Sequence, residues 1–243
     1  MLRSWARLSR ALPGFVAPRS GVQAAVTPTG VLRHSSHKIW LTPSENSIDR
    51  AVPNSSWSQE MLHHFNRYIE MTKDGSWQKL PSYRSFYEHF PEGHERCELQ
   101  KRRNRLFLRS IDEEGMGFEY VMFLNATEKR MVCLSQLGPY LEGPSGFAHG
   151  GSLATLLDST LGGCAICVNR RVLTANLSIN YKNPVALGSV VLAESRLDKI
   201  EGRKIFVSGE IRSADRQILH AEATALFIQL ESSILPQEKT VFE

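Results

Sequence analysis

The sequence predicts an α+β domain in which an antiparallel sheet wraps around one long helix. Three observations lead there. Residues 152–168, SLATLLDSTLGGCAICV, form a nearly continuous small and apolar run, long enough for a buried helix and too short to span a membrane. On either side of it, residues 106–137 and 172–230 fall into short segments with the period of two that strands require. Between the early strands and the helix lies a loop punctuated by Gly138-Pro139, Gly143-Pro144 and Gly146.

Taken in order, residues 1–36 read as a mitochondrial targeting segment. Arg3, Arg7 and Arg10 recur at helical spacing while Trp5, Leu8 and Leu12 line another face, the acid-poor amphipathic composition of such a segment. Arg7 and Arg10 break the apolar core that a secretory signal needs. The 243 residues carry a net charge of +4, but residues 1–44 contribute six cations and no acid. Removing those six from 29 basic residues leaves 23 against 25 acids, so the rest is slightly acidic and gives no reason to expect a nucleic-acid partner. No uninterrupted apolar stretch reaches transmembrane length.

Residues 37–104 read as a linker followed by a helical segment. Ser56 and Gln59 have capping-box spacing, and Trp57, Met61, Phe65, Tyr68 and Ile69 continue as a stripe that ends at Asp74-Gly75. Such a stripe packs on the main domain. Residues 80–104 look irregular. His89, His94 and Cys97 match no standard zinc spacing, so no metal is expected, and Lys101-Arg102-Arg103 with Arg105 reads as solvated surface.

The domain is expected over residues 105–232, with a tail at 233–243. Leu106–Leu108, Phe118–Leu124 and Arg130–Leu137 read as strands, and after the helix come strands at 172–182, 189–198, 203–212 and 217–230. Glu201-Gly202 and Ala214-Asp215 supply hairpin turns. In the first strand after the helix, Leu173, Ala175, Leu177, Ile179 and Tyr181 alternate with Thr174, Asn176, Ser178, Asn180 and Lys182, which predicts one buried and one polar face. One helix cannot cover all the apolar positions of such a sheet, so pairing with a second copy is expected.

The chemistry gathers at the start of the long helix. His149-Gly150-Gly151 opens it, and the glycine N–H groups at a helix N-terminus suit an oxyanion hole. Asp158, the only acid in the apolar run, is the candidate base or nucleophile. His149 either orients the loop or polarises a carbonyl. Lys182, Arg203 and Lys204, with Asn180, put polar and cationic groups at strand ends, where they suit phosphates. Cys164 and Cys167 sit in the apolar helix without a cation beside them and read as packing.

The His-Gly-Gly turn with an aspartate nine residues after the histidine, together with FEYVMF, EKRMVCL, LTANLSINYK, LDKIEGRK and ATALFIQL, resembles the hotdog-fold acyl-CoA thioesterases. The resemblance implies the hotdog fold, dimerisation through the sheet and sites built between subunits. It implies a fatty acyl-CoA substrate of medium to long chain and no cofactor. It also places the Thr174 hydroxyl near the aspartate from the other subunit, holding water, and matches Asn180, Lys182, Arg203 and Lys204 to substrate-contacting positions. Two rival functions stand beside hydrolysis. One is a regulatory binder, because a role restraining the kinase Akt (protein kinase B) is proposed within this family. The other is a different hotdog enzyme, an enoyl-acyl-carrier dehydratase.

Overall fold

Residues 48–85, 88, 104–168 and 172–230 are described in the computed structural model. The targeting segment, the tail, and the stretch with His89, His94, Cys97 and Lys101-Arg102-Arg103 lie outside the described residues. The elements run α1 (Gln59–Met71), β1 (Gln78–Leu80), β2 (Phe118–Asn125), β3 (Arg130–Leu137), α2 (Gly150–Val168), β4 (Val172–Tyr181), β5 (Val190–Glu201), β6 (Lys204–Ser213) and β7 (Leu219–Gln229). The strands form a single antiparallel sheet in the order β1-β2-β3-β5-β6-β7-β4. Its inner face wraps α2, as the apolar run of that helix requires.

Leu153, Leu156, Leu157, Leu161 and Ala165 of α2 are buried against Met131, Cys133, Val191, Val207 and Phe227 of the sheet. Each buried leucine stabilises the fold by about 1.5–3 kcal/mol. The approach is close at the centre: a Cβ on Gly209 of β6 would lie 2.7 Å from Leu161 and 2.5 Å from the Glu194 carbonyl oxygen. A side chain there would push helix and sheet apart.

The outer face is also covered on one half. Trp57 and the α1 residues Met61, Phe65 and Tyr68 pack on Val121, Phe123, Val132, Leu134 and Leu192, with Tyr68 stacked on Phe123 at 5.0 Å between ring centroids. Strands β2 and β3 are therefore buried almost throughout, and α1 covers part of the apolar surface expected to need a second copy, while Leu173 and Tyr181 of β4 stay exposed. The other half, over β4, β6 and β7, is polar and forms an open cleft of about 710 Å³ lined by Ser178, Asn180, Glu210, Glu222 and Thr224 among others.

Two buried charges tie the segment before β2 to the sheet. Glu119 accepts hydrogen bonds from Trp57 Nε1 (2.9 Å), Asn54 Nδ2 (3.0 Å) and Gly115 N (2.8 Å). Arg109 donates to Ser82 Oγ and to the Tyr120 carbonyl, both at 3.0 Å, and its guanidinium lies 3.9 Å from the Tyr120 ring centroid.

Several local expectations are corrected. The cap of α1 is Ser58, whose hydroxyl accepts from Met61 N; Ser56 instead bonds Asn54, while Gln136 holds its carbonyl. Leu106–Leu108 is not a strand. A short 3-10 turn, Phe107–Arg109, stands there because Arg109 turns inward to its buried partners. A three-residue strand that the sequence pattern does not mark, β1, ends at the first residue of the irregular stretch and pairs with β2. Strand β4 is the sheet edge, so most of it is exposed.

Replacing Glu119 with Ala leaves three donors without their acceptor. The expected loss is about 3 kcal/mol in denaturant unfolding. A loss below about 1 kcal/mol would show that α1 docks without this carboxylate.

Candidate active site

The loop before α2 is held by its own backbone. His149 N donates to the Leu141 carbonyl (2.7 Å) and Ala148 N to that of Val185 (2.9 Å). His149 then caps the helix. Its carbonyl accepts from Ser152 N, and its ring Nδ1 accepts from Gly151 N at 2.8 Å. With Nδ1 an acceptor, the neutral ring carries its proton on Nε2. Of the two glycine amides expected to serve an oxyanion, Gly151 is therefore engaged by the histidine. Gly150 N, at the first helical position, has no hydrogen-bond partner among the described residues and remains the available donor.

Alternation alone counts Tyr181 among the apolar positions of β4. Its hydroxyl donates to the Gly150 carbonyl at 2.9 Å, and its ring lies 3.6 Å from where a Gly150 Cβ would sit. The end of β4 thereby braces the start of α2.

Asp158 lies two turns further along. It is half-buried, because it faces a cleft of about 330 Å³ rather than the core. Its Oδ1 accepts the Thr174 hydroxyl at 2.9 Å, and both residues belong to the same chain. The strict alternation expected of β4 would have put Thr174 on the outer face. A β-bulge changes that: Thr174 pairs with Phe227 and Asn176 with Leu226, leaving Ala175 as the extra residue. Thr174 therefore turns inward beside Phe227, and Leu173 turns outward with 60% exposure.

The other candidates lie elsewhere. Asn180 and Lys182 keep to the outer side of β4, where Lys182 pairs with Glu222 at 2.8 Å. Lys204 opens β6 and lines up through Ile228 with Leu173, so Arg203 and Lys204 sit at the Thr174 end of the sheet. The Arg203 guanidinium donates to the Gln229 carbonyl at 3.2 Å.

Within one chain, Gly150 N and Asp158 cannot serve the same carbonyl. Eight residues of helix separate them, about 12 Å along the axis. Carbonyl oxygen and attacking water would each need a partner at about 3 Å.

A turn that presents one free helical amide, and a carboxylate tethered by a threonine over an apolar cleft, suit hydrolysis of an activated acyl group. The thioesterase superfamily profile matches residues 145–220, which take in His149, all of α2 and Thr174. The chain belongs to the thioesterase superfamily. It is 46% identical over 230 residues to the acyl-coenzyme A thioesterase THEM4 of Xenopus laevis, covering 95% of this chain and 99% of that one. It is 48% identical over 191 residues to THEM4 of Rattus norvegicus (75% and 82% covered), and 42% identical over 188 residues to the acyl-coenzyme A thioesterase THEM5 of Homo sapiens (75% and 76%).

The CxxC pair packs within the structure. The Cys164 thiol donates to the Lys129 carbonyl and that of Cys167 to the Gly163 carbonyl. Burial pushes Cys164 up to about 11, and Cys133 and Cys167 up to about 12. All three stay protonated at neutral pH, and reactivity would rise only as the pH approaches those values. In a Cys97→Ser background, iodoacetamide should label none of the three in the native protein and all three after unfolding. Rapid native labelling of Cys164 or Cys167 would show that the end of α2 opens.

Proposed function

We propose that the protein hydrolyses medium- to long-chain fatty acyl-CoA to free fatty acid and coenzyme A, as a homodimer paired through β4. One observation carries this reading: the two halves of the site are each braced by the same exposed edge strand. Thr174 near one end of β4 holds Asp158, and Tyr181 at the other end holds Gly150. Antiparallel pairing of two β4 strands about their middle brings Asp158 and Thr174 of one copy beside Gly150 of the other. The 12 Å within a chain then no longer separates base from oxyanion donor.

In that arrangement Asp158 takes a proton from water as the oxygen attacks the thioester carbon. Thr174 occupies Oδ1 and leaves Oδ2 for the water. Gly150 N of the second copy, at the positive end of α2, stabilises the oxyanion, and His149 Nε2–H is the available second donor. As the intermediate collapses the C–S bond breaks, and protonated Asp158 returns its proton to the leaving sulfur. Asn180 and Lys182 of one copy come alongside the Arg203–Lys204 end of the other, where the phosphates of coenzyme A fit.

Two variants test the arrangement together. Asp158→Asn removes the base, and Gly150→Pro removes the amide at a helical position that tolerates proline. Each alone should lose about 100-fold or more in thiol release from palmitoyl-CoA. Refolded together, they should recover about a quarter of wild-type activity, because half the dimers are hybrids with one intact site. No recovery would place base and amide in the same chain.

The acid-free, arginine-bearing start supports a mitochondrial address. Deleting residues 1–36 should abolish import of the protein into isolated mitochondria and leave hydrolysis intact. Import at the full-length level would sink that assignment.

A further inference from the structure

We propose that Tyr181 is a positioning residue for His149, acting through the peptide bond between Gly150 and Gly151. This rests on the thioesterase reading, in which His149 Nε2–H is a donor to the oxyanion. The Tyr181 hydroxyl donates to the Gly150 carbonyl at 2.9 Å, and Gly151 N donates to His149 Nδ1 at 2.8 Å. That carbonyl and that N–H belong to one peptide unit and point in opposite directions from it. Two side chains therefore hold the same peptide by its two poles. One comes from the last residue of β4, the other from the residue before α2.

The peptide needs such a hold. Two glycines in succession have no Cβ to restrict their dihedrals, and they stand where the loop enters the helix. The Tyr181 ring lies 3.6 Å from where a Gly150 Cβ would sit, so it limits the motion of a residue with no side chain of its own. On the other side the absence of a side chain is required. A Cβ on Gly151 would lie 2.9 Å from His149 Nδ1 and 3.2 Å from its Cε1, and would push the imidazole away. A Cβ on Gly143 would lie 2.8 Å from the His149 Cα. The imidazole can accept the Gly151 amide only because these two neighbours are bare.

The hold also polarises what it holds. A hydrogen bond accepted by a peptide oxygen makes the N–H of the same unit a stronger donor. Here that N–H meets Nδ1. A stronger bond at Nδ1 keeps the proton on Nε2 and draws electron density from the ring, which makes Nε2–H the better donor in turn. The run from the Tyr181 hydroxyl to His149 Nε2–H is continuous, and no proton leaves its atom along it. A strand remote in sequence from the turn thereby sets the tautomer and the orientation of the histidine.

Tyr181→Phe keeps the ring and removes the hydroxyl. In the full-length protein kcat for palmitoyl-CoA should fall about fivefold, the worth of one hydrogen bond, with KM within about twofold. The second readout is the imidazole nitrogen NMR spectrum of histidine-labelled protein at about pH 8, where an ordinary histidine is neutral. The His149 signals, identified by their loss in His149→Gln, should show only the Nε2–H tautomer in wild type and a mixture with Nδ1–H in Tyr181→Phe. Gly151→Ala displaces the ring and should give the same mixture, and adding Tyr181→Phe to it should lower kcat no further. A wild-type ring protonated on Nδ1, or a Tyr181→Phe ring unchanged from wild type, overturns the proposal. A kcat within about twofold of wild type in Tyr181→Phe also overturns it. Losses that multiply in the double variant do the same, because the tyrosine then acts on Gly150 alone. Should Gly151→Ala not fold, the spectrum and kcat of Tyr181→Phe decide. Wild-type protein that hydrolyses no thioester would sink the functional reading instead, and the imidazole spectra then decide the positioning by themselves.

Discussion

Helix α2 buries a broad apolar face, and that constraint organises the molecule. Leu153, Leu156, Leu157, Leu161 and Ala165 recur at three- and four-residue spacing and are all buried, a face about half the helix wide, and a face that wide has to be wrapped rather than laid on a flat surface. Wrapping demands a strongly curved sheet and small residues where the helix approaches it, and Gly209, Ala221, Ala223 and Ala225 supply them on β6 and β7. The wrap does not close over Asp158, which is half-buried and faces a cleft. The candidate chemistry therefore falls where the packing requirement stops.

Curvature on one face creates a problem on the other, and the residues before β2 solve it. Apolar positions of β2, β3 and β5 point outward, and α1 covers them. The joint is fastened by polar groups as well as apolar ones. Arg130 pairs with Glu194 at 2.6 Å, Arg216 also pairs with Glu194, and Arg216 donates to the Tyr68 hydroxyl of α1 at 2.9 Å. Burying charges in this way adds little net stability, but removing one member strands the others. The gain is in position. Arg109 does the same for Ser82 and the turn at Phe107, and Glu119 for Trp57 and Asn54.

The sequence spoke most clearly where a pattern was long and set by burial. The α2 run, the strand segments around it and the two hairpins were legible because period and turn chemistry follow from which face is covered. His149-Gly150 and Asp158 stood out as candidates because a glycine turn and a lone acid are conspicuous against apolar neighbours. What escaped was decided by partners distant in sequence. Leu106–Leu108 alternates like a strand, but Arg109 has buried acceptors at Ser82 and Tyr120 that bend the chain into a turn. Strand β1 is three residues long and exists through β2. Ser58 outcompetes Ser56 as the cap of α1 because Asn54 and Gln136 already engage Ser56. The engagement of Gly151 by His149 is local, yet it depends on a ring orientation that no residue spacing records.

The bulge at Ala175 is the least legible feature and the one with the longest reach. Alternation along β4 assigns Thr174 and Tyr181 to opposite faces, since seven positions separate them. One extra residue between them puts both on the inner face, where each meets a different turn of α2. Without it, either the threonine would leave Asp158 or the tyrosine would leave Gly150. In the proposed dimer the same strand is also the interface, so its register sets the distance from base to oxyanion donor. A slip of one residue would move the partners by about 3.3 Å and turn every side chain to the wrong face. On the proposed reading, strand β4 joins catalytic geometry to assembly: each chain holds its own half of the candidate site in place, and the pairing of two edges would determine whether the halves meet.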